Sequence, residues 1–266
     1  MNAQQTLTGT EVLVRTRGPV SAESRRYAQE KVRAVVDRLG TPALAARVKL
    51  SQEVGHAPDR QAVAQAVVDL RGHPVRAQVG AGTMQEAIDR LADRLTGRLA
   101  RARHHDESWR HDGACSPLTR PGPEDDAHRP VRRELPVGQR RIVRHKAYSL
   151  PRRSPREAAF DMDALDYDFH LFTDALTGHD GVVYRDPRSG THRYSVVGPY
   201  PLHRPVLPGG PAPSRAAVPE LTVRQAVDRL EVTGLPFVFF AAPGSGRGQV
   251  VYRRVDGHYG LITPTA

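Results

Sequence analysis

The N-terminal part of the chain shows the two-residue hydrophobic period of strands. Apolar and polar residues alternate over 47–51 and 62–70, and Val-Leu-Val-Arg-Thr at 12–16 is typical of a further strand. Gly72-His73-Pro74 turns the chain from 62–70 into the alternating segment 75–79, which predicts a hairpin.

Two segments of the same region show a helical period instead. Ala28, Val32, Val35 and Leu39 recur at three and four residues behind Ser21, the expected N-cap. A second stripe runs from Met84 to Leu99 behind Thr83-Met84-Gln85-Glu86, which has the spacing of a capping box. The order strand–helix–strand–strand–strand–helix predicts one sheet with two helices on one face.

The C-terminal part contains an internal repeat with an offset of 68 residues. The repeated features are a helix cap, an aromatic strand and a Val-Val-Tyr-Arg strand. They lie at Ser154…Glu157, 169–172 and 182–185 in copy 1, and at Thr222…Gln225, 237–240 and 250–253 in copy 2. Each copy is too short to bury a good core alone, so copy 1 and copy 2 are expected to cover each other as an intramolecular pseudo-dimer.

The apolar residues of these strands are the predicted pairing interface. They are Phe169, Leu171, Phe172, Val183 and Tyr184 in copy 1, and Phe237, Phe239, Val251 and Tyr252 in copy 2.

These patterns predict an α+β protein with five segments. The N-terminal domain spans 1–105, a flexible linker 106–140, copy 1 141–200, a Pro/Gly-rich tether 201–219 and copy 2 220–266.

Composition places the chain in a reducing compartment. Its single cysteine, Cys115, rules out an internal disulfide framework, and neither a signal peptide nor an apolar run of membrane-spanning length is present. We therefore expect a cytoplasmic protein.

The net charge of +10 is unevenly distributed. Residues 1–105 hold 17 Lys and Arg against 10 Asp and Glu, whereas residues 154–266 hold 11 against 12. A genome bias explains the preference for Arg over Lys, but it does not explain why residues 154–266 lack the excess of positive charge. The N-terminal half is therefore expected to bind a polyanion.

Candidate phosphate-binding residues follow the predicted elements. Arg90, Arg94, Arg98 and Arg101 form one helical stripe, while Arg47, Lys49 and Arg76 alternate with apolar residues and should share the solvent face of the sheet. The first helix adds Arg25, Arg26, Lys31 and Arg33. A merely solvated helix face is the alternative. No aromatic stacking platform is evident, which favours recognition of a nucleic-acid backbone over reading of bases.

No constellation supports an enzyme, a metal site or a cofactor. The acidic run from Asp161 to Asp174 lacks the Gly and Glu of a calcium loop, and His104, His105, His111, Cys115 and His128 match no zinc spacing. The segment 244–248 lacks the Lys-Ser/Thr ending of a phosphate loop.

The first copy and its lead-in resemble the C-terminal domain of long-form ribosome hibernation-promoting factors. The resemblance rests on Ile-Val-Arg-His-Lys at 142–146, Asp-Phe-His-Leu-Phe-Thr-Asp at 168–174 and Val-Val-Tyr-Arg at 182–185, and on 250–262 in copy 2. Residues 10–105 resemble the ribosome-binding domain of that family more weakly.

This resemblance implies a factor that binds 16S rRNA in the decoding channel of the small subunit and blocks mRNA and tRNA. Arg94, Arg98 and Arg101 are the basic residues chiefly carried over. The family commonly has one C-terminal copy per chain, which pairs between two ribosomes. Two copies resemble the tandem type of mycobacterial dormancy factors and predict a monomer, paired internally, that stabilises single ribosomes. The alternative is another RNA-binding or transcription-modulating protein.

Overall fold

The computed structural model describes most of the chain. The described residues are 10–39, 43–52, 62–112, 133–186, 189–198, 210–214 and 216–265.

The N-terminal unit is a four-stranded sheet with two helices on one face, as the sequence predicts. Its elements are β1 (Val12–Arg17), α1 (Ala22–Asp37), β2 (Ala45–Gln52), β3 (Ala62–Leu70), β4 (His73–Ala81) and α2 (Met84–Asp112). The strand order is β1-β2-β3-β4, with β1 parallel to β2 and the other pairs antiparallel.

Alternation decides which face of this sheet is buried. Val48 and Leu50 lie under the helices, together with Ile88 and Leu91 of α2. At the N-terminus of α1 the Ser24 N–H donates to Ser21 Oγ at 3.0 Å, which confirms the predicted cap.

The hairpin between β3 and β4 turns one residue earlier than predicted. Arg71 and Gly72 both have positive φ angles, of 53° and 90°, as a two-residue primed turn requires. His73 therefore begins β4, and Pro74 is tolerated because β4 is an edge strand.

The C-terminal unit contains both copies. Copy 1 supplies β6 (Arg152–Arg153), α3 (Pro155–Ala164), β7 (Phe169–Asp174), β8 (Asp180–Arg185) and β9 (His192–Val196), preceded by β5 (Ile142–Tyr148). Copy 2 supplies α4 (Val223–Thr233), β11 (Phe237–Ala241), β12 (Gly248–Arg253) and β13 (Tyr259–Pro264), preceded by β10 (Ala212–Pro213).

Each helix of the repeat begins with a complete capping box. The Glu157 N–H donates to Ser154 Oγ at 3.3 Å, and the Ser154 N–H donates to the Glu157 carboxylate at 2.7 Å. Thr222 and Gln225 make the same reciprocal pair of bonds in copy 2.

Two strands are exchanged between the copies: β5, from the start of copy 1, and β10, from the tether before copy 2. The first sheet has the order β10-β9-β8-β7-β6 and the second β11-β12-β13-β5. Thus β5 pairs in parallel with β13 of copy 2, and β10 pairs in parallel with β9 of copy 1. The short strands keep the repeat offset, because Arg152 pairs with Thr173 and Glu220 bridges to Ala241.

Two predicted connections differ in the structure. The helix α2 continues to Asp112, past the predicted linker start at 106, and Val137–Gln139 forms a single 3-10 turn inside the predicted linker. Within the predicted tether 201–219, Ala212–Pro213 is a strand. The rest of the linker from 113 to 132, and 201–209 of the tether, lie outside the described residues.

Candidate nucleic-acid interface and pairing surface

The open face of the N-terminal sheet carries a cluster of exposed basic side chains. We define the basic sheet face as Arg15, Arg17, Arg47 and Lys49, all exposed on β1 and β2 opposite the helices. The alternation that buries Val48 directs Arg47 and Lys49 to the other side of the sheet.

Like charges are neighbours on this face. Arg15 lies beside Lys49 in the parallel register of β1 and β2, at the strand spacing of about 4.8 Å. Adjacent like charges destabilise a sheet unless an anion lies between them. The strands β1 to β4 contain no Phe, Tyr or Trp, so the face offers charge and hydrogen-bond donors for a phosphate backbone rather than stacking surfaces.

Arg15 and Arg17 are absent from the set expected from the sequence. The sequence does contain a signal for them. In β1 the alternation places Arg15 and Arg17 on the face opposite Val12 and Val14, by the same rule that places Arg47 and Lys49 there.

The candidate residues on α1 lie on the opposite layer from the basic sheet face. Arg25, Arg26 and Arg33 are exposed, and the Arg25 guanidinium donates to Thr16 Oγ1 at 3.3 Å. The strand and helix candidates therefore lie in different layers of the N-terminal unit.

Two further candidates are held by acidic neighbours. Lys31 Nζ lies 2.8 Å from Asp89, whose carboxylate also accepts from Tyr27 Oη at 2.6 Å. The Asp89 hydrogen bond, with a smaller contribution from Tyr27, raises the pKa of Lys31, and the same bonds lower the pKa of Asp89. Arg90 pairs with Glu86 at 2.6 Å, so both cations are partly neutralised.

The arginine stripe of α2 is not uniformly exposed. Arg101 is exposed and Arg90 is half-buried, but Arg98 is buried, as is nearly all of the Arg94 side chain. Arg76 on β4 is half-buried. The four arginines therefore differ in exposure, and their role in phosphate binding stays a prediction.

The pairing surface between the two copies has approximate twofold symmetry. Equivalent residues Phe169 and Phe237 contact each other, with ring centroids 4.6 Å apart. Phe169 also packs on Tyr252, and Phe237 on Tyr184, each at 5.7 Å. Tyr184 and Tyr252 are equivalent too, so the contacts are reciprocal, as in an isologous interface.

The interior of this surface differs in part from the predicted set. The structure places Leu171 and Phe239 there together with Val182, Val250 and Ile262, which are not among the predicted residues. Phe172 and Val183 instead lie in the core of copy 1 with α3, and Val251 in the core of copy 2 with α4. The cause is strand alternation, since neighbours along a strand face opposite sides.

An ion pair between Asp180 and Arg247 crosses the pairing surface. The buried Asp180 carboxylate accepts from Arg247 Nε at 2.7 Å and from the Gly248 N–H at 2.9 Å.

Each copy also holds a carboxylate at the end of its helix. Glu231 on α4 accepts from Arg140 at 2.6 Å, from Arg253 at 3.3 Å and from Tyr259. Burial raises the pKa of Glu231, but the bonds from Tyr259 and Arg140 outweigh it and hold the pKa below its usual value. Asp163 is the copy 1 equivalent and accepts from Arg185 and His192.

His170 occupies the position that Val238 holds in copy 2. Burial lowers the pKa of His170, the Asp161 carboxylate opposes this effect, and Arg153 adds to it. The ring therefore favours the neutral state.

In the part of the chain that the structure describes, no group of three or more metal-ligating side chains is found. The helices of that part are all too short or too polar to cross a membrane.

Two family models match the chain. One, described as "Sigma 54 modulation protein / S30EA ribosomal protein", matches residues 14–106. The other, described as "Sigma 54 modulation/S30EA ribosomal protein C terminus", matches both 138–190 and 213–261, one range in each copy.

Similar proteins cover most of the chain. A "Dormancy associated translation inhibitor" of Mycobacterium tuberculosis is 36% identical over 251 residues, which are 92% of this chain and 85% of that protein. A "Ribosome hibernation promotion factor" of Deinococcus radiodurans is 29% identical over 67% of this chain and 93% of its own length. Among solved structures, the N-terminal domain of Thermus thermophilus Protein Y matches 35% of this chain and 98% of its own, with 27% identity and a TM-score of 0.29.

Proposed function

The chain belongs to the sigma 54 modulation/S30EA ribosomal protein family, and from this membership we propose that it is a ribosome hibernation factor that inhibits translation. The observation that carries the proposal is the joint match of both family domains across a chain whose relatives are named for dormancy, translation inhibition and hibernation. Ribosome association makes it a cytoplasmic protein, and its action is binding rather than catalysis.

The N-terminal unit binds 16S rRNA in the decoding channel of the small subunit and so excludes mRNA and tRNA. The basic sheet face supports this assignment, because its adjacent cations gain energy when a phosphate backbone lies across them. Recognition through the backbone suits a channel of folded RNA, in which shape and charge rather than single bases are presented.

The C-terminal unit pairs its two copies within one chain and leaves ribosomes single. A short tether gives copy 2 an effective concentration of about millimolar at copy 1, which outcompetes pairing with another chain. The expected product is a stabilised single ribosome carrying a monomeric factor.

Sedimentation of purified ribosomes with the pure protein tests this function. The protein is expected to co-sediment with single ribosomes at physiological salt and to inhibit translation in an extract. A dominant ribosome-dimer peak would overturn pairing within one chain. Equal affinity for ribosomes and for free RNA would favour a general RNA-binding protein instead.

A further inference from the structure

The pairing surface brings equivalent residues of the two copies together at its pseudo-twofold axis. Phe169 and Phe237 are one such pair, and two identical rings pack there without conflict. Asp180 and Gly248 are another, since their positions differ by the repeat offset of 68. In this second pair the two residues are different.

The difference at Asp180 and Gly248 is required by space and charge. A Cβ atom added to Gly248 would lie 2.9 Å from Asp180 Cβ and 2.7 Å from the Phe239 ring, both closer than real contacts. The bare Gly248 N–H instead donates to the buried Asp180 carboxylate, and Arg247 supplies the opposite charge. The copy 1 residues at the positions of Phe239 and Arg247 are Leu171 and His179.

We propose that these two sets of residues form a pairing code, by which copy 1 accepts copy 2 and rejects another copy 1. The acidic set is Leu171, His179 and Asp180, and the basic set is Phe239, Arg247 and Gly248. If both copies carried the acidic set, two buried carboxylates would meet at the axis. If both carried the basic set, two arginines would face each other with no carboxylate to pair with. Such mutual exclusion is how an interface gains specificity for one partner.

The consequence is that the pairing surface of copy 1 fits copy 2 better than it fits a second copy 1. Pairing of two chains through identical copies is then disfavoured by the interface itself, in addition to the short tether. This inference concerns the protein alone, so it does not depend on the proposed ribosomal function.

Exchange of the two sets within the full-length chain tests the code. Variant A carries F239L, R247H and G248D, so that both copies have the acidic set. Variant B carries L171F, H179R and D180G, so that both have the basic set. Variant C combines all six substitutions and restores an unlike pair with the sets interchanged. The control is Arg224→His, an exposed arginine on α4.

The readout is the thermal midpoint of the C-terminal unit in the pure protein. Variants A and B are expected to lose about 10 °C or more, because the bonds to the buried Asp180 carboxylate are lost and like charges meet. Variant C is expected to recover most of that loss, and the control to stay at the wild-type midpoint. Wild-type midpoints for A and B, or a midpoint for C below those of both A and B, would overturn the code. Because no ribosome is present, either result is distinguishable from a failure of ribosome binding.

Discussion

At the residue scale, the alternation of each strand decides which side chains are available for binding. This rule predicted Arg47 and Lys49 on the open sheet face, and the same rule applies to Arg15 and Arg17. It fails for a continuous apolar run such as 237–240, because periodicity alone does not say which residues face the partner copy. The burial of Arg98 could not be predicted from the sequence either. Helical spacing indicates the direction in which a side chain points, but it does not indicate which residues pack against that side of the helix.

The basic sheet face gives a salt-dependence prediction. The double variant Arg15→Gln/Lys49→Gln is expected to weaken ribosome binding and to reduce the slope of log affinity against log salt by about 1 per residue. The measurement is ribosome binding over a salt series. Arg224→Gln, on an exposed face of α4, serves as the control. An unchanged slope for the double variant would remove Arg15 and Lys49 from the interface.

His170 gives a pH prediction for copy 1. Its folded pKa is below its usual value of about 6.5, so the unfolded chain binds a proton that the folded chain resists. The free energy of unfolding should therefore fall as pH drops below about 6.5. His170→Val, which installs the copy 2 residue, should flatten this dependence in urea unfolding between about pH 7 and pH 5. A steeper dependence in the variant would contradict the assignment.

At the element scale, the exchanged strands make each copy incomplete without the other. The capping boxes and the strands of the repeat were predictable because their signals are local. The pairing of β5 with β13 was not predictable, because a parallel pair between distant segments leaves no periodic signal in either one. The end of α2 at Asp112 was also missed, since apolar periodicity ceases before the backbone helix does.

Arg140, two residues before the exchanged strand β5, links this segment to copy 2. It bonds Glu231 on α4, and each side chain is only 14% exposed. Arg140→Met is expected to destabilise the C-terminal unit by about 1–3 kcal/mol, because a charge-assisted bond in a largely buried site is lost. Hydrogen exchange should then rise first in β5 and β13. The control Arg141→Met changes an exposed neighbour, and an equal effect from it would refute a specific role for Arg140.

At the scale of the whole molecule, the chain joins a basic N-terminal domain to a C-terminal unit that pairs with itself. Residues 1–105 hold 17 Lys and Arg against 10 Asp and Glu, while residues 154–266 are nearly balanced. The C-terminal cores are small, and a third apolar cluster joins them between the copies. We therefore expect both copies to unfold together.

Equivalent core substitutions test this cooperativity. Phe172→Ala and Phe240→Ala each remove a fully buried ring at the same position of the repeat. Each should cost about 3–5 kcal/mol and increase hydrogen exchange in both copies, not only in the altered one. Leu176→Ala, at an exposed position, is the control. Exchange confined to the substituted copy would show that the copies unfold separately.

The exchanged strand β5 also sets the order in which the protein is completed during its synthesis. Its partner β13 is translated only after α3, α4 and every other strand of both copies. At a translation rate of about 5–20 residues per second, β13 is synthesised on the order of ten seconds after β5. During this interval the apolar surface of copy 1 is uncovered on the nascent chain. Because two acidic sets do not pair, copy 1 of one nascent chain would then not pair with copy 1 of a neighbouring nascent chain on the same messenger RNA.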